Sequence, residues 1–363
     1  MLRRLLSLRG AASTAAASGV GLGLTLGLRP TAADCRASSS ADTGRSPMCG
    51  EMEAYIRQLQ VEITAQMEAL DGGGRFERDD WAKPATSRTQ GGGRSNVMQN
   101  GKVFEKAGVN ITVTHGFLPP AAARQMRTRR KDLGDDDGEL PYFACGLSLV
   151  LHPHNPHVPT VHANYRYFEI PSESGKPGDP PRAWWFGGGS DLTPSYLYDE
   201  DAIHFHDTLA KACDGHDAQY FPAFKAWCDK YFHLPHRGEA RGVGGIFFDD
   251  MDGSSGVSAG HSQAELFAFV QSCGNSFVES YAPIVERRRG LPYSAEEKRW
   301  QQMRRGRYVE FNLVWDRGTK FVRHNCDHVA VSSAAQVAQE CRLTSHAMAG
   351  RALRAPAHGS SPC

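Results

Sequence analysis

The residues best suited to chemistry lie in a short segment, residues 160–168, in which apolar and polar side chains alternate. Successive side chains of a strand point to opposite faces, so the polar face presents His162, Asn164 and Arg166 in consecutive positions. A proton donor, an amide and a guanidinium at this spacing could serve an anionic substrate. The wet face of an antiparallel sheet has the same pattern, so both interpretations are open. The opposite face carries Val161, Ala163, Tyr165 and Tyr167.

Two neighbouring segments would position this strand. Residues 145–151 have the composition of a buried strand, and the proline-rich residues 152–159 would connect the two strands as a rigid hairpin. Further along, a strand beginning at Trp184 runs into a triple glycine at residues 187–189, followed by Asp191. Glycine suits a place where the backbone approaches a ligand closely, but a turn closed by the Asp191 side chain explains the pattern equally well.

Metal binding is the main alternative chemistry. A site of two histidines and one carboxylate could combine Asp191 with two of His152, His154, His157, His162, His204 and His206. Against this, His204 and His206 lie two positions apart in a predicted helix and cannot face the same ion. The carboxylates at residues 249–252 could bind a divalent cation or mark a solvated strand end. The Arg-Gly steps at Arg237 and Arg241 could supply cations to a cleft or simply form turns.

The remaining periodicity predicts several strands that do not alternate one-to-one with helices, which indicates an α+β domain with a large antiparallel sheet flanked by helices. Asn100 and Gly101 form a hairpin turn signal. A strand is predicted for residues 307–320, with Val309, Phe311, Leu313 and Trp315 on one face. The other predicted strands are residues 95–99, 102–106 and 109–114; the predicted helices are residues 51–70, 119–130, 200–213, 223–232 and 263–281, and one that begins at a Ser294–Glu297 capping box and runs through residue 304.

Composition excludes some classes and suggests a location. The formal charge of +1 provides no electrostatic case for nucleic acid, and no apolar run is long enough for a transmembrane segment. Residues 1–33 carry four arginines and no acidic residue, which is typical of a mitochondrial transit peptide. The nine cysteines include no Cys-x-x-Cys pair, so they are interpreted as reduced thiols.

Four segments carry a resemblance to a known family: CGLSLVLHPHNPHVPTVHANYRYFE, WWFGGGSDLTPSYL, HRGEARGVGGIFFDD and RYVEFNLVWDRGTKF. They resemble oxygen-dependent coproporphyrinogen III oxidase of the mitochondrial animal type, in the same order, over residues 51–321. The resemblance implies a homodimer that converts two propionates of coproporphyrinogen III to vinyl groups in haem biosynthesis, giving protoporphyrinogen IX. It implies molecular oxygen as the oxidant and no metal or organic cofactor.

The resemblance also implies roles for individual residues. His162 resembles the proton donor of the family, and which aspartate acts as the base is left open. The implied catalytic residues are His162, Asp191 and Asp316. The implied substrate-binding residues are Ser148, Asn164, Arg166 and Arg317.

The expected organisation is a transit peptide and linker at residues 1–49, a catalytic domain at residues 50–321 and a tail at residues 322–363. The resemblance ends after Phe321, so we expect C-terminal elements of the fold to be missing and the tail to be disordered. The expected location is the mitochondrion, in the intermembrane space. Two alternatives remain: a catalytically impaired isoform that binds porphyrinogen or a normal subunit, and a metal-dependent oxygenase.

Overall fold

A computed structural model describes residues 45–130, 133, 138–174, 176 and 179–316, all within one compact unit. The transit peptide, the tail and Arg317 lie outside the described residues. The strands are β1 Glu77–Ala82, β2 Thr89–Gln99, β3 Phe104–Phe117, β4 Pro141–Pro153, β5 Thr160–Ile170, β6 Ala183–Thr193, β7 His233–Leu234, β8 Glu239–Ala240 and β9 Gly244–Met251. The helices are α1 Pro47–Asp71, α2 Pro120–Arg129, α3 Asp199–Asp214, α4 Tyr220–Tyr231, α5 Gln263–Asn275, α6 Phe277–Arg288 and α7 Ala295–Val314.

The predicted α+β architecture is confirmed. Seven strands form one sheet in the order β1-β2-β3-β4-β5-β6-β9, in which every neighbouring pair is antiparallel. The hairpin at Asn100 and Gly101 is present, and Asn100 has a left-handed φ of 53°. The strand after it is one element, β3, because Ala107 and Gly108 pair with both neighbouring strands instead of forming the break that the sequence predicted.

The main core lies between one face of the sheet and helices α1, α3, α4, α5 and α6. Tyr165 and Tyr167 of β5 are fully buried in it, as the alternating pattern predicted. The predicted helix over residues 263–281 is divided at Ser276 into α5 and α6. The Cys273 carbonyl accepts hydrogen bonds from the hydroxyls of Tyr165 and Ser276, and such side-chain bonds compete with helical ones.

The strand predicted for residues 307–320 is wrong, because residues up to Val314 belong to helix α7. The capping box of Ser294 and Glu297 is present as predicted, and α7 continues ten residues past the expected end at Arg304. Phe311 is 1% exposed whereas Leu313 is 36% exposed, so these two side chains do not share a buried strand face. The alternation of period two was accidental, and the burial follows the helical spacing.

Helix α7 is fastened to the sheet by charged groups around Glu105, at a β-bulge of β3. Lys298 Nζ lies 2.9 Å and Arg305 NH1 2.8 Å from Glu105 Oε2. Arg305 and Gln301 also donate to the Pro153 carbonyl at the end of β4. Burial alone would raise the pKa of Glu105, but Arg305 and Lys298 lower it to about 2. These contacts place the residues of α7 over the sheet.

Two further features concern the class of protein. The five cysteines within the described residues are all buried free thiols. In the same part of the chain, no helix combines the length and apolar character that crossing a membrane requires.

The Glu105 cluster predicts acid-dependent stability. Because the pKa of Glu105 is lowered from 4.5 to about 2 on folding, its stabilisation is complete above pH 4.5 and is lost as the pH falls towards 2. Glu105→Gln should reduce the free energy of unfolding near pH 7 by about 2–3 kcal/mol and flatten its decline in acid. Urea unfolding between pH 7 and 3 measures this. Glu139→Gln, which removes an exposed pair with Arg88, is the control; equal pH dependence in wild type and Glu105→Gln would contradict the interpretation.

Candidate active site

The register of the central strands collects the predicted polar side chains on the sheet face opposite the main core. Asn164 of β5 pairs with Ser148 of β4 on one side and with Gly189 of β6 on the other. His162 lies opposite Asp191 of β6 in the neighbouring row. Five of the seven predicted site residues therefore share one face on three adjacent strands: Ser148, His162, Asn164, Arg166 and Asp191.

A buried chain of charged groups begins at His162. Its Nδ1 lies 2.8 Å from Asp191 Oδ1, and Arg241 NH2 donates to Asp191 Oδ2 at 2.6 Å. Asp191 is 2% and Arg241 3% exposed. Burial alone would raise the pKa of Asp191, but the Arg241 guanidinium and the hydrogen bond with His162 hold it below its ordinary value. Asp191 is therefore an ionised carboxylate in the interior.

The ionised carboxylate determines how His162 is presented. A carboxylate can only accept hydrogen bonds, so Nδ1 of His162 carries the hydrogen and donates it to Asp191. The other ring nitrogen, Nε2, is then left for a substrate, as an acceptor in the neutral ring or a donor in the protonated one. The His162 side chain is 20% exposed, so this nitrogen can be reached.

Arg241 completes this buried chain of charged groups, and sequence reasoning did not assign it to the site. Its guanidinium carbon lies 3.8 Å from the ring centre of Phe232 and 4.2 Å from that of Tyr308, and NH1 donates to Asn312 Oδ1 at 3.2 Å. Cation–π contacts hold a desolvated guanidinium effectively. The only signal in the sequence was the Arg-Gly step, and a pairing with Asp191 across fifty positions has no local pattern.

A second cluster surrounds Arg166. NH1 donates to Asn164 Oδ1 at 2.8 Å, and NH2 lies 2.9 Å from Asp249 Oδ1. Burial alone would lower the pKa of Arg166, but the Asp249 carboxylate raises it above its ordinary value. Gly187 makes room for this pair, because a Cβ there would lie 2.6 Å from Asp249 Oδ1 and 2.7 Å from Arg166 NH2. One role of the triple glycine is therefore to accommodate side chains of the site.

Asp316 joins this second cluster from the end of α7. Tyr231 donates its hydroxyl hydrogen to Asp316 Oδ1 at 2.9 Å, and the Tyr231 ring stacks on Phe247 with centres 4.2 Å apart. The charge of Asp316 also contributes to the raised pKa of Arg166. The structure thus places Asp316 near Arg166, whereas its predicted neighbour Arg317 lies outside the described residues.

Aromatic side chains extend the same face beyond Arg166. The rings of Phe168 and Trp185 stack with centres 4.5 Å apart, and Tyr142 stacks on Phe168 at 5.7 Å. Arg130 lies over Trp185 at 5.5 Å and forms an ion pair with Asp252. Tyr142 and Trp185 are buried, and these rings form a smaller hydrophobic core with residues of α2 beside the polar face.

The candidate metal ligands are dispersed. Asp249 and Asp252 pair with different arginines, and His154 bonds the Gly101 carbonyl. His204 and His206 bond different backbone carbonyls of Glu279 and Ala202. Within the described residues, no group of three or more His, Cys, Asp or Glu side chains is arranged to hold a metal ion.

These features define an α+β protein whose antiparallel sheet presents a carboxylate-bound histidine beside an anchored arginine. The chain belongs to the coproporphyrinogen III oxidase family, whose model matches residues 51–332. This confirms the resemblance, and the matched residues continue past Phe321; the boundary expected there stays a prediction.

Individual relatives of this chain support the same family assignment. The chain is 52% identical over 271 residues to the human mitochondrial oxygen-dependent coproporphyrinogen-III oxidase, covering 75% of this chain and 56% of the human protein. It is 51% identical to the Drosophila melanogaster oxidase, covering 74% and 65%, and 49% identical to the chloroplastic oxidase of Glycine max, covering 74% and 66%. The chain thus spans less than two thirds of the length of these relatives.

The buried Asp191–Arg241 pair predicts a specific pattern of stability. Arg241→Gln leaves the Asp191 carboxylate without its cation and should lower the free energy of unfolding by about 3–5 kcal/mol at pH 7. Arg237→Gln, four positions earlier, removes only an exposed pair with Glu310 and should change the free energy of unfolding far less. Urea unfolding measures both.

Adding Asp191→Asn to Arg241→Gln should recover part of the loss, because the buried charge is then removed as well. If the losses caused by the two changes simply add, the carboxylate and the guanidinium are not coupled in the way the geometry indicates.

Proposed function

We propose that the chain catalyses the oxygen-dependent oxidative decarboxylation of two propionates of coproporphyrinogen III to vinyl groups, giving protoporphyrinogen IX for haem biosynthesis. The observation that carries this proposal is the arrangement of His162, held by Asp191, beside Arg166 on one face of the sheet. Membership of the family and the names of its relatives support the substrate and the oxidant.

The reaction requires acid–base groups and anchors. For each side chain, the propionate carboxylate, one O2 and one proton give a vinyl group, CO2 and H2O2. The two electrons leave the substrate for oxygen, so the pyrrole must be made electron-rich enough to react. Removal of a pyrrole N–H proton does this, and the protein supplies the base, the acid and the carboxylate anchors.

The geometry supports distinct roles for the two clusters. His162 Nε2 would exchange the proton at the reacting centre, while Asp191 fixes the ring and stabilises its protonated form. Arg166 would bind a propionate through its guanidinium, which Asn164 and Asp249 hold in position before the substrate arrives. Asp316 and Tyr231 lie close enough to Arg166 to act on the same part of the substrate.

The remaining residues and partners belong to the same proposal. Ser148 and Asn164 would contact the substrate from neighbouring strands, and Arg317 would pair with a propionate. We propose that the enzyme works without a metal or organic cofactor, as a homodimer. We place it in the mitochondrion, in the intermembrane space, because residues 1–33 have the composition of a transit peptide and the human and rat relatives are named as mitochondrial.

The direct test uses coproporphyrinogen III that is prepared anaerobically and then exposed to air with the purified chain. We expect protoporphyrinogen IX, measured by fluorescence after oxidation, with CO2 and H2O2 formed in equal amounts. Chelators should leave the rate unchanged. Binding of the tetrapyrrole without product would support the impaired isoform, and a rate lost with chelator but restored by iron or copper would support the metal-dependent oxygenase.

Asp191→Asn should affect turnover more than binding. The amide can no longer fix His162 as the carboxylate does and cannot stabilise a protonated ring, so kcat should fall at least a hundredfold while KM changes little. Steady-state kinetics with coproporphyrinogen III measure both constants. A normal kcat in this variant would exclude the proposed role of Asp191.

Arg166→Ala should affect binding most. A substrate carboxylate would lose a charge-assisted pair of hydrogen bonds, worth about 2–4 kcal/mol, and Lys should restore only part of this because it lacks the planar fork. Arg78→Ala, an exposed pair with Asp80 on the edge strand, is the matched control. Near-normal affinity of Arg166→Ala would show that the polar strand face is merely solvated.

A further inference from the structure

The polar face of the candidate site continues onto a strand that the predicted residues do not include. Asn110 of β3 lies directly opposite Ser148 of β4, which in turn pairs with Asn164. Val109 and Ile111, on either side of Asn110, are fully buried in the main core. Because side chains alternate along a strand, Asn110 faces the same side of the sheet as Ser148 and Asn164.

Asn110 and Thr112 carry polar atoms that the described residues do not satisfy. Asn110 is 2% exposed, and neither its Oδ1 nor its Nδ2 forms a hydrogen bond within the described part of the chain. Thr112, two positions along on the same face, has a buried hydroxyl that is also unpaired there. Proteins pair nearly all buried polar groups, so adjacent exceptions beside a site indicate atoms that a ligand completes.

We propose that Asn110 and Thr112 form an uncharged subsite that binds a propionate carboxylate of the substrate; this rests on the proposed function. The Asn110 amide and the hydroxyls of Thr112 and Ser148 can all donate, and a carboxylate accepts several hydrogen bonds. No acidic side chain lies opposite them in the register to repel it. The cross-strand neighbours of Asn110 are Ser95 and Ser148, and those of Thr112 are Gly93 and Gly146.

The distance between this subsite and Arg166 would allow the two to bind different carboxylates of one substrate. β3 is two strands from β5, which corresponds to roughly 10 Å across the sheet. A tetrapyrrole carries its carboxylates on different pyrroles, so one guanidinium cannot hold them all. Arg166 would anchor one propionate by charge, and Asn110 with Thr112 would hold another through neutral donors.

The test compares two probes that do not react: coproporphyrin III, which has four carboxylates, and its tetra-amide, which has the same ring and no charge. Fluorescence titration gives the affinity of each for wild type, Asn110→Leu and Thr112→Val. We expect each variant to bind the tetracarboxylate at least tenfold more weakly, with the tetra-amide changed less than twofold. Thr114→Val, a buried threonine on the same strand, should alter neither affinity.

Several outcomes would overturn the subsite. Equal weakening for both probes would mean that Asn110 is only structural, and unchanged affinities would mean that water satisfies its amide. Asn110→Asp keeps the shape but repels a carboxylate, so it should bind the tetracarboxylate at least as poorly as Asn110→Leu; wild-type affinity would show that Asn110 accepts a pyrrole N–H instead. Neither probe is turned over by the enzyme, so the titrations test the subsite independently of activity. The subsite can be supported when turnover is absent, and turnover can be observed when the subsite is disproved.

Discussion

The buried carboxylate of Asp191 is the constraint on which the rest of the site depends. An ionised group in the interior is stable only when it is paired, and Asp191 lies buried near the end of β6 with two charged or hydrogen-bonding partners. His162 reaches it through the register of β5 with β6, and Arg241 reaches it from the segment before β9. A shift of one residue in the pairing of β5 with β6 would move His162 to the opposite face and remove this partner from Asp191. The register that builds the fold is thus also the register that forms the site.

Helix α7 also supports the pairing of Asp191, from outside the sheet. Its residues Tyr308 and Asn312 hold the guanidinium of Arg241, and its last residues bring Asp316 towards Arg166. Lys298, in the first turn of α7, and Arg305, in its middle, make the ionic contacts with Glu105, and Arg305 lies about one turn before Tyr308. A disturbance of the Glu105 contacts can therefore be transmitted along α7 to both clusters.

The sequence predicted the parts of this arrangement that have a local signature. The alternation in residues 160–168 placed His162, Asn164 and Arg166 on one face, and the structure agrees because β5 is buried on the other. The same rule failed at residues 307–320, where apolar residues at alternate positions lie in a helix. Period two over a few residues also occurs by chance in a helix, and only burial distinguishes the two. The partner of Asp191 could not be predicted, since fifty residues and two changes of strand separate it from Arg241.

The charges on the sheet face are distributed unevenly, which bears on how one surface could distinguish several carboxylates of a substrate. Ionised groups lie towards β9 and α7, where Asp249 and Asp316 surround Arg166. Towards β3 the side chains are uncharged amides and hydroxyls, such as Asn110 and Ser148. A carboxylate on the charged side meets a strong anchor beside acidic groups that repel it, whereas one on the neutral side is held more weakly without repulsion. Under the proposed function, a substrate with chemically similar carboxylates would be oriented by this difference between the two sides. The carboxylate nearest His162 and Asp191 would then be selected by position rather than by its own reactivity.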